Sequence, residues 1–319
     1  MDLAGMIDVC HVQVLPILSG VQRAMLEMFR HLDRTRYQPH VICQQPGPLS
    51  VELAALDIPC HYAPSLDRPI RPAADARAYR ELSAIFRRHR FPLVHTHSSK
   101  PGVLARIAAR RAGVPWIVHH VHSFAFHEQS SAAAHGLFSR LETLAGHYCD
   151  RVIFVNHEER ELAIRKRILP AEKCLTLHNG IDLRPYTPER RAQCRAAFRA
   201  LLGLGPDDIA ILFLGRLERQ KQPLILPEIA ARLAAFAPQR NWKLLVAGDG
   251  PLTRPLAQMI KQRGLEQRIS LLGWQDEPQN VVHAADILLQ PSLWEGLAIS
   301  LIEGHAAGLP TVASHIRGI

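Results

Sequence analysis

The sequence predicts an α/β protein made of two facing Rossmann-like domains, residues 1–183 and 184–319. Three observations predict it. Short apolar, β-branched runs alternate with longer amphipathic segments, as in βα units around a parallel sheet. The alternation occurs twice, in halves that differ chemically: 15 of the 18 histidines lie between His11 and His178. Between the halves, His178-Asn179-Gly180-Ile181-Asp182-Leu183-Arg184-Pro185 gathers turn-forming residues and a proline, which reads as the link.

Strands are expected near Ile7 to Val14, His40 to Cys43, Leu93 to His97, Trp116 to His120, Val152 to Val155 and Leu175 to Leu177. Helices fall between them, at Val21 to Leu32, Ala74 to Arg90, Val103 to Arg111, Phe138 to Tyr148 and Glu158 to Arg167. The second series opens with the unbroken run Ile209-Ala210-Ile211-Leu212-Phe213-Leu214, which reads as a strand covered on both faces. Further strands follow at Lys243 to Ala247, Ile269 to Leu272, Ile287 to Gln290 and Thr311 to Ala313, separated by helices near Leu224 to Ala235, Leu252 to Arg263, Pro278 to Ala284 and Leu297 to Ala307. In such sheets ligands sit at the carboxyl ends of the strands, so the expected site is the cleft between the domains.

Composition narrows the function classes. With 319 residues, 47% of them hydrophobic, the chain has material for two cores at roughly 150 residues per domain. Charged residues at 21% and aromatics at 6% exclude coiled coil, collagen and solvated tails. No apolar run approaches the roughly 18 to 20 residues of a membrane span. Asp2 and Asp8 interrupt any secretory signal, so a cytoplasmic location is expected. The cysteines Cys10, Cys43, Cys60, Cys149, Cys174 and Cys194 lack CxxC spacing and read as buried thiols. The net charge of +9 is spread evenly, 22 − 17 = +5 through Leu183 and 16 − 12 = +4 beyond it. Without a recognised module or an aromatic platform, that charge does not point to nucleic acid.

Two constellations carry chemistry. In Gly215-Arg216-Leu217-Glu218-Arg219-Gln220-Lys221, at the end of the buried strand, Arg216 and Lys221 are two fixed cations able to neutralise a diphosphate. A solvated turn would use the same residue types. In Pro291-Ser292-Leu293-Trp294-Glu295-Gly296-Leu297, followed by Ala298-Ile299-Ser300-Leu301-Ile302-Glu303, a strand end meets a glycine turn and an apolar helix. The Gly296-Leu297 backbone there is a candidate phosphate cradle at a helix N-terminus. Eight helical residues between Glu295 and Glu303 would span about 12 Å, too far for the roughly 5 Å carboxylate pair of a retaining glycosidase. That separation suits the two ends of a nucleotide-sugar.

Taken together, the Glu295-x7-Glu303 element, Gly215-Arg216 with Lys221, Gly248-Asp249-Gly250-Pro251 and His178-Asn179-Gly180-Ile181-Asp182 resemble the GT-B fold retaining glycosyltransferases of family 4. Val94-His95-Thr96-His97-Ser98-Ser99-Lys100-Pro101-Gly102 and His119-His120-Val121-His122-Ser123-Phe124-Ala125-Phe126 resemble stretches in members that build bacterial surface polysaccharides. The resemblance implies that Arg216 and Lys221 bind the donor diphosphate, Glu295 the donor sugar and Glu303 the ribose. It places His122 near the transferred sugar, and Gly20, in Ser19-Gly20-Val21-Gln22-Arg23, near donor phosphate or acceptor. The implied reaction moves a sugar from a nucleoside diphosphate, UDP by expectation, to an acceptor hydroxyl with retention. The implied acceptor is a lipid-linked glycan.

Ser19, Ser123 and Gln222-Pro223 stand where relatives often have glycine. The chain also stops at Arg317-Gly318-Ile319 where relatives continue, so a shortened second domain is expected.

His95/His97 and His120/His122 are i, i+2 pairs, each on one face of a strand. No carboxylate or cysteine stands at ligand spacing beside them, and Arg216 with Lys221 already supplies positive charge, so no metal or other cofactor is expected. Arg87-Arg88-His89-Arg90 and Arg110-Arg111 end two helices, where cations complement the dipole and offer a contact for anionic lipid. Two other classes share this architecture. A non-hydrolysing UDP-sugar epimerase would turn over donor without acceptor, and an inactive homologue would bind nucleotide without turnover.

Overall fold

The computed structural model describes residues 5–127 and 129–319. They form two compact units, one ending at Asn179 and one beginning at Gly180. In the first, the elements run β1 (Ile7–Val12), α1 (Gly20–Arg30), β2 (Tyr37–Cys43), α2 (Pro48–Ala55), β3 (Cys60–Tyr62), α3 (Pro72–His89), β4 (Leu93–His97), α4 (Ser99–Arg111), β5 (Trp116–Val121), α5 (Ala132–Gly146), β6 (Arg151–Phe154), α6 (His157–Arg165) and β7 (Cys174–Thr176). The strands make a 7-stranded sheet in the order β3-β2-β1-β4-β5-β6-β7, every neighbouring pair parallel.

The second unit runs α7 (Pro188–Leu201), β8 (Ile209–Leu214), α8 (Leu226–Phe236), β9 (Trp242–Ala247), α9 (Thr253–Gln262), β10 (Ile269–Gly273), α10 (Pro278–Ala284), β11 (Ile287–Gln290), α11 (Ile299–Ala306) and β12 (Thr311–Ala313). Its 5-stranded sheet is ordered β10-β9-β8-β11-β12 and is also parallel. Both units are thus the expected open α/β sheets.

The unbroken apolar run of β8 follows from burial on both faces. Ala210, Leu212 and Leu214 enter one core cluster, while Phe213 enters another, flanked by Ile209 and Ile211. On β9, Leu245 and Ala247 share the first cluster, and Trp242, Leu244 and Val246 share the second. Alternation along a strand is what sends neighbours to opposite faces. Helix starts follow local rules too. Asn156 caps α6 by accepting from the Glu159 amide at 2.7 Å, with Glu158 and Glu159 in the first turn, where the dipole favours acids.

Several elements depart from the expected series. The short edge strand β3 and the two-turn α2 lie in a stretch where the sequence names no element. More telling is α7, where helix formation has no apolar stripe to advertise it. Its docking groups are arginines. Arg191 donates to Ala307 O and Ala285 O, Arg195 to the carbonyls of His283, Ala284 and Ala285, and Arg199 to Ala284 O and Asp286. Guanidinium groups thereby satisfy carbonyls left open at the end of α10. Helix starts shift as well: α5 begins at Ala132, ahead of the expected Phe138, and α11 at Ile299, later than the expected Leu297.

The first unit buries an ion pair. Arg106 on α4 is 0% exposed and donates to Glu142 on α5 at 2.7 Å and to Gly102 O at 3.0 Å. Removing one partner of such a pair strands the other charge in a low-dielectric interior. Glu142→Leu should therefore lower the stability of this unit by about 3–5 kcal/mol in urea denaturation. The double variant Arg106→Met with Glu142→Leu should recover most of that loss, because its apolar replacements leave no charge to solvate.

Candidate functional site

The carboxyl edge of the second sheet is assembled by close backbone crossings. Gly248, leaving β9, has φ +143°, and a Cβ there would lie 1.9 Å from Gly215 O, at the exit of β8. A Cβ on Gly250 would meet Leu217 O at 2.6 Å. Only glycine permits both approaches. The loops are stitched by Gly215 N to Ala247 O at 3.0 Å, Leu217 N to Asp249 O at 3.0 Å and Leu252 N to Leu217 O at 2.9 Å. Asp249 accepts from the Thr253 hydroxyl and from the Gly250 amide, and these bonds hold its carboxyl below the usual carboxylate range.

This crossing holds the Arg216–Lys221 turn against the loop after β11. The Lys221 stem passes over Gly215, and its Nζ meets Glu295 Oε1 at 2.6 Å. Glu295 is buried and takes further bonds from Ser292 Oγ at 2.7 Å and, on Oε2, from Gln220 Nε2 at 3.2 Å. Behind it, Gln290 Nε2 donates to Ser292 Oγ at 2.8 Å, and Ser300 Oγ donates to Gln290 Oε1 at 3.1 Å. Gln220 also clamps the loop, its carbonyl accepting from Leu293 N at 2.8 Å and its amide donating to Trp294 O at 3.1 Å. After Lys221, Gln222 adopts φ 52° and ψ 46°, the left-handed conformation that makes glycine frequent at such a position.

Of the residues singled out in this unit, the structure joins Lys221 directly to Glu295. Arg216 follows β8 on the same edge, half-buried, with Glu218 Oε2 at 3.4 Å. Glu303 lies on α11, half-buried, and accepts from the Tyr186 hydroxyl at 3.1 Å. Gly296 and Leu297 need correction. The helix N-cap is Ala298, with extended φ −73° and ψ 107°, so both residues lie ahead of the first turn and their amides are not helix N-terminal amides. Glu295 and Glu303 are accordingly joined by loop and then helix, and the estimate of a continuous helical span does not apply.

In the first unit, Gly20 is exposed at the first position of α1, where Gln22 Oε1 accepts from the Ser19 amide at 3.2 Å. His122 stands just past the end of β5, its Nε2 2.9 Å from His97 Nδ1. His97 Nε2 is in turn 3.2 Å from His11 Nδ1. Burial pushes the pKa of His122, His95 and His97 well below the ordinary histidine value. For the same reason, aided by the charge of His120, His11 is lowered to about 3, and burial lowers His120 to about 4. The row is therefore neutral at pH 7, and His122 is there an uncharged donor and acceptor. On the opposite sheet face, His119 Nδ1 lies 2.8 Å from Thr96 Oγ1.

Sequence reasoning missed Ser292, Gln290, Gln220, Tyr186 and His11. Gln290 left a trace, since a polar residue ends an otherwise apolar strand run, Ile287-Leu288-Leu289-Gln290. A polar group at a core position needs a polar reason. His11 left none, because only strand pairing brings it opposite His95.

Both units have counterparts among known proteins. Residues 19–180 match the glycosyl transferase 4-like domain, and residues 195–319 match the glycosyl transferases group 1 domain. The UDP-Gal:alpha-D-GlcNAc-diphosphoundecaprenol alpha-1,3-galactosyltransferase of Escherichia coli is 33% identical over 314 residues, covering 98% of this chain and 80% of that protein. Among solved structures, Anabaena Alr3699/HepE in complex with UDP and glucose aligns over 97% of this chain and 81% of that one, with TM-score 0.77 and 21% identity. WaaG, a glycosyltransferase involved in lipopolysaccharide biosynthesis, aligns over 98% and 82% with TM-score 0.76 and 15% identity. With both domains matched in order and a relative of this similarity along nearly its whole length, the chain belongs to the group 1 glycosyltransferases of the GT-B fold.

Proposed function

We propose that this glycosyltransferase moves a hexosyl group from a UDP-sugar to a hydroxyl of a lipid-linked glycan, with retention at the anomeric carbon, in the assembly of a surface polysaccharide. The observation that carries the reading is the Lys221–Glu295 contact of 2.6 Å at the carboxyl edge of β8 and β11. It couples a cation suited to a diphosphate with a carboxylate suited to sugar hydroxyls. The donor class is supported by the UDP-Gal of the Escherichia coli relative's name and by the UDP and glucose bound to HepE. The acceptor class is supported by the diphosphoundecaprenol in the relative's name.

In the proposed reaction the bond between the anomeric carbon and the β-phosphate oxygen breaks, and the acceptor oxygen bonds to that carbon from the same face. The acceptor proton passes to a phosphate oxygen of the departing UDP. Negative charge grows on the diphosphate as the bond breaks, so fixed cations there stabilise the transition state more than the ground state. Arg216 and Lys221 fill that role. Pairing with Glu295 uses one of the three ammonium donors of Lys221 and leaves two for phosphate oxygens. Glu295, already held by Ser292 and Gln220, is positioned to accept from sugar hydroxyls, and Glu303, oriented by Tyr186, from the ribose. His122 contributes as a neutral hydrogen-bonding group beside the transferred sugar, and Gly20 lines the loop near donor phosphate or acceptor. No helix among the described residues is long and apolar enough to cross a membrane. Contact with anionic lipid would fall to the exposed Arg87, Arg88, Arg90 and Arg111, since Arg110 is committed to Asp150 by two bonds of 2.8 Å.

Arg216→Ala and Lys221→Ala should each lower kcat about 10²–10³-fold in a transfer assay with nucleotide-sugars and lipid-diphosphate acceptors, the usual cost of one transition-state donor. Near-native turnover in both would remove the mechanism, and donor conversion without acceptor would point to an epimerase. Glu303→Ala should instead weaken UDP binding by calorimetry about tenfold or more, with Tyr186→Phe showing a smaller loss in the same direction. Proton NMR of the product should show the donor's anomeric configuration retained.

A further inference from the structure

One face of three adjacent strands in the first unit carries a row of five imidazoles. Parallel pairing sets His11 of β1 opposite His95 of β4, and His97 of β4 opposite His120 of β5. Alternate residues share a face, so His95 joins His97, and His122 continues the row two residues beyond His120. Ring centroids are 4.3 Å apart for His120 and His122, 5.2 Å for His97 and His122, and 5.7 Å for His97 and His120. His11, His95, His97 and His120 are buried, and His122 is half-buried.

Hydrogen bonding does not account for this row. A neutral imidazole offers one donor and one acceptor. His97 engages both nitrogens, toward His122 and toward His11. The Nε2 atoms of His95 and His120 and the Nδ1 of His122 are buried without a partner. A buried polar atom left unsatisfied is costly, so unpartnered nitrogens on the adjacent rings of His120 and His122 call for a ligand or another compensation.

We propose that His97, His120 and His122 form a binding site for a divalent transition metal such as zinc, cobalt or nickel, with His11 as the outer partner that orients His97. One nitrogen from each of the three lies within 4.8 Å of the others. Bonds of 2.0–2.1 Å in a tetrahedral site require ligand nitrogens about 3.3 Å apart, a closure that imidazole rotation supplies. His97 Nδ1 and His122 Nε2, at 2.9 Å, already stand near that spacing. The all-nitrogen donor set suits borderline metals and not magnesium or calcium, which take oxygen. His11, His95 and His97 also cluster within 4.8 Å, but all three are buried. His122 is the one member of either triad that is not fully buried, and the His97–His11 contact then becomes the hydrogen bond by which a ligating histidine is held in one tautomer. Three protein ligands leave a fourth position for water or another small donor. The site shares His122 with the proposed transfer reaction, but metal binding is measured without donor or acceptor, so the two readings fail separately.

The test uses the untagged full chain, dialysed against chelator and titrated with Zn²⁺ by calorimetry and with Co²⁺ by visible absorption. The expected result is one saturable ion per chain and the intense cobalt spectrum of a four-coordinate site. His97→Ala and His120→Ala, each checked for folding by circular dichroism, should weaken zinc binding about 100-fold or more, and His11→Phe about 10–100-fold. Absence of stoichiometric uptake by the unmodified chain, a weak six-coordinate cobalt spectrum, or a folded His120→Ala variant that binds zinc like the parent would each overturn the proposal. Should both alanine variants fail to fold, stoichiometry and the cobalt spectrum of the unmodified chain decide the matter.

Discussion

A carboxylate removed from water must find its donors inside the protein, and the arrangement at the edge of the second sheet is built around supplying them to Glu295. One oxygen takes the Lys221 ammonium and the Ser292 hydroxyl, and the other takes the Gln220 amide. Those donors come from the exits of two different strands, so the site depends on the parallel register that sets Ile287 opposite Ile211 and Leu288 opposite Leu212. Burying an ion pair is costly unless its remaining hydrogen-bonding capacity is satisfied. Here the neutral donors provide that satisfaction, and the pair in return holds a flexible lysine in one geometry. A cation held in place before substrate arrives loses less conformational entropy on binding than a free one.

What the sequence could reveal followed from which forces act locally. The strand Ile209–Leu214 was legible because burial on both sheet faces demands an unbroken apolar run, and the cores on its two sides divide its side chains between them. Gly248 and Gly250 were legible as a motif. Their reason, passage within contact distance of the Gly215 and Leu217 carbonyls, belongs to tertiary structure. The helix Pro188–Leu201 was not legible, since Arg191, Arg195 and Arg199 dock it through hydrogen bonds to carbonyls. Apolar periodicity reports helices that bury hydrocarbon and is silent about one held by guanidinium groups.

The same distinction separates the residues within the site. Arg216, Lys221 and Glu295 stand out as charged residues beyond the ends of apolar strands, and Glu303 as a charge beside Leu301 and Ile302 on a helix. Gln220, Ser292, Gln290 and Tyr186, which orient them, are uncharged and ordinary in a sequence. Helix α11 shows a further limit. Gly296 and Leu297 look like a helix entrance, yet the extended Ala298 delays the first turn, and Leu301 N reaches back to Ala298 O at 3.0 Å. Helix boundaries are set by backbone geometry at a single residue, a quantity to which composition is insensitive.

The two units place polar chemistry at the same edge of their sheets by opposite electrostatic means. In a parallel sheet the side chains at the carboxyl ends of the strands converge where the loops diverge, which opens room for a ligand. In the second unit that room is met by opposite charges, Lys221 and Glu295, each reducing the other's desolvation penalty. In the first, His97, His120 and His122 are crowded together with no carboxylate among the hydrogen-bonding partners of their rings, and burial keeps each uncharged. Neighbouring imidazoles repel when protonated, so such a row persists only as neutral rings. Neutral rings with spare lone pairs have a restricted set of partners in a dry interior: a hydroxyl, an amide, water or a metal ion. Thr96 does not serve them, because alternation turns its hydroxyl to the other face, toward His119. The strand periodicity that gathers the imidazoles thus also excludes that nearby hydroxyl.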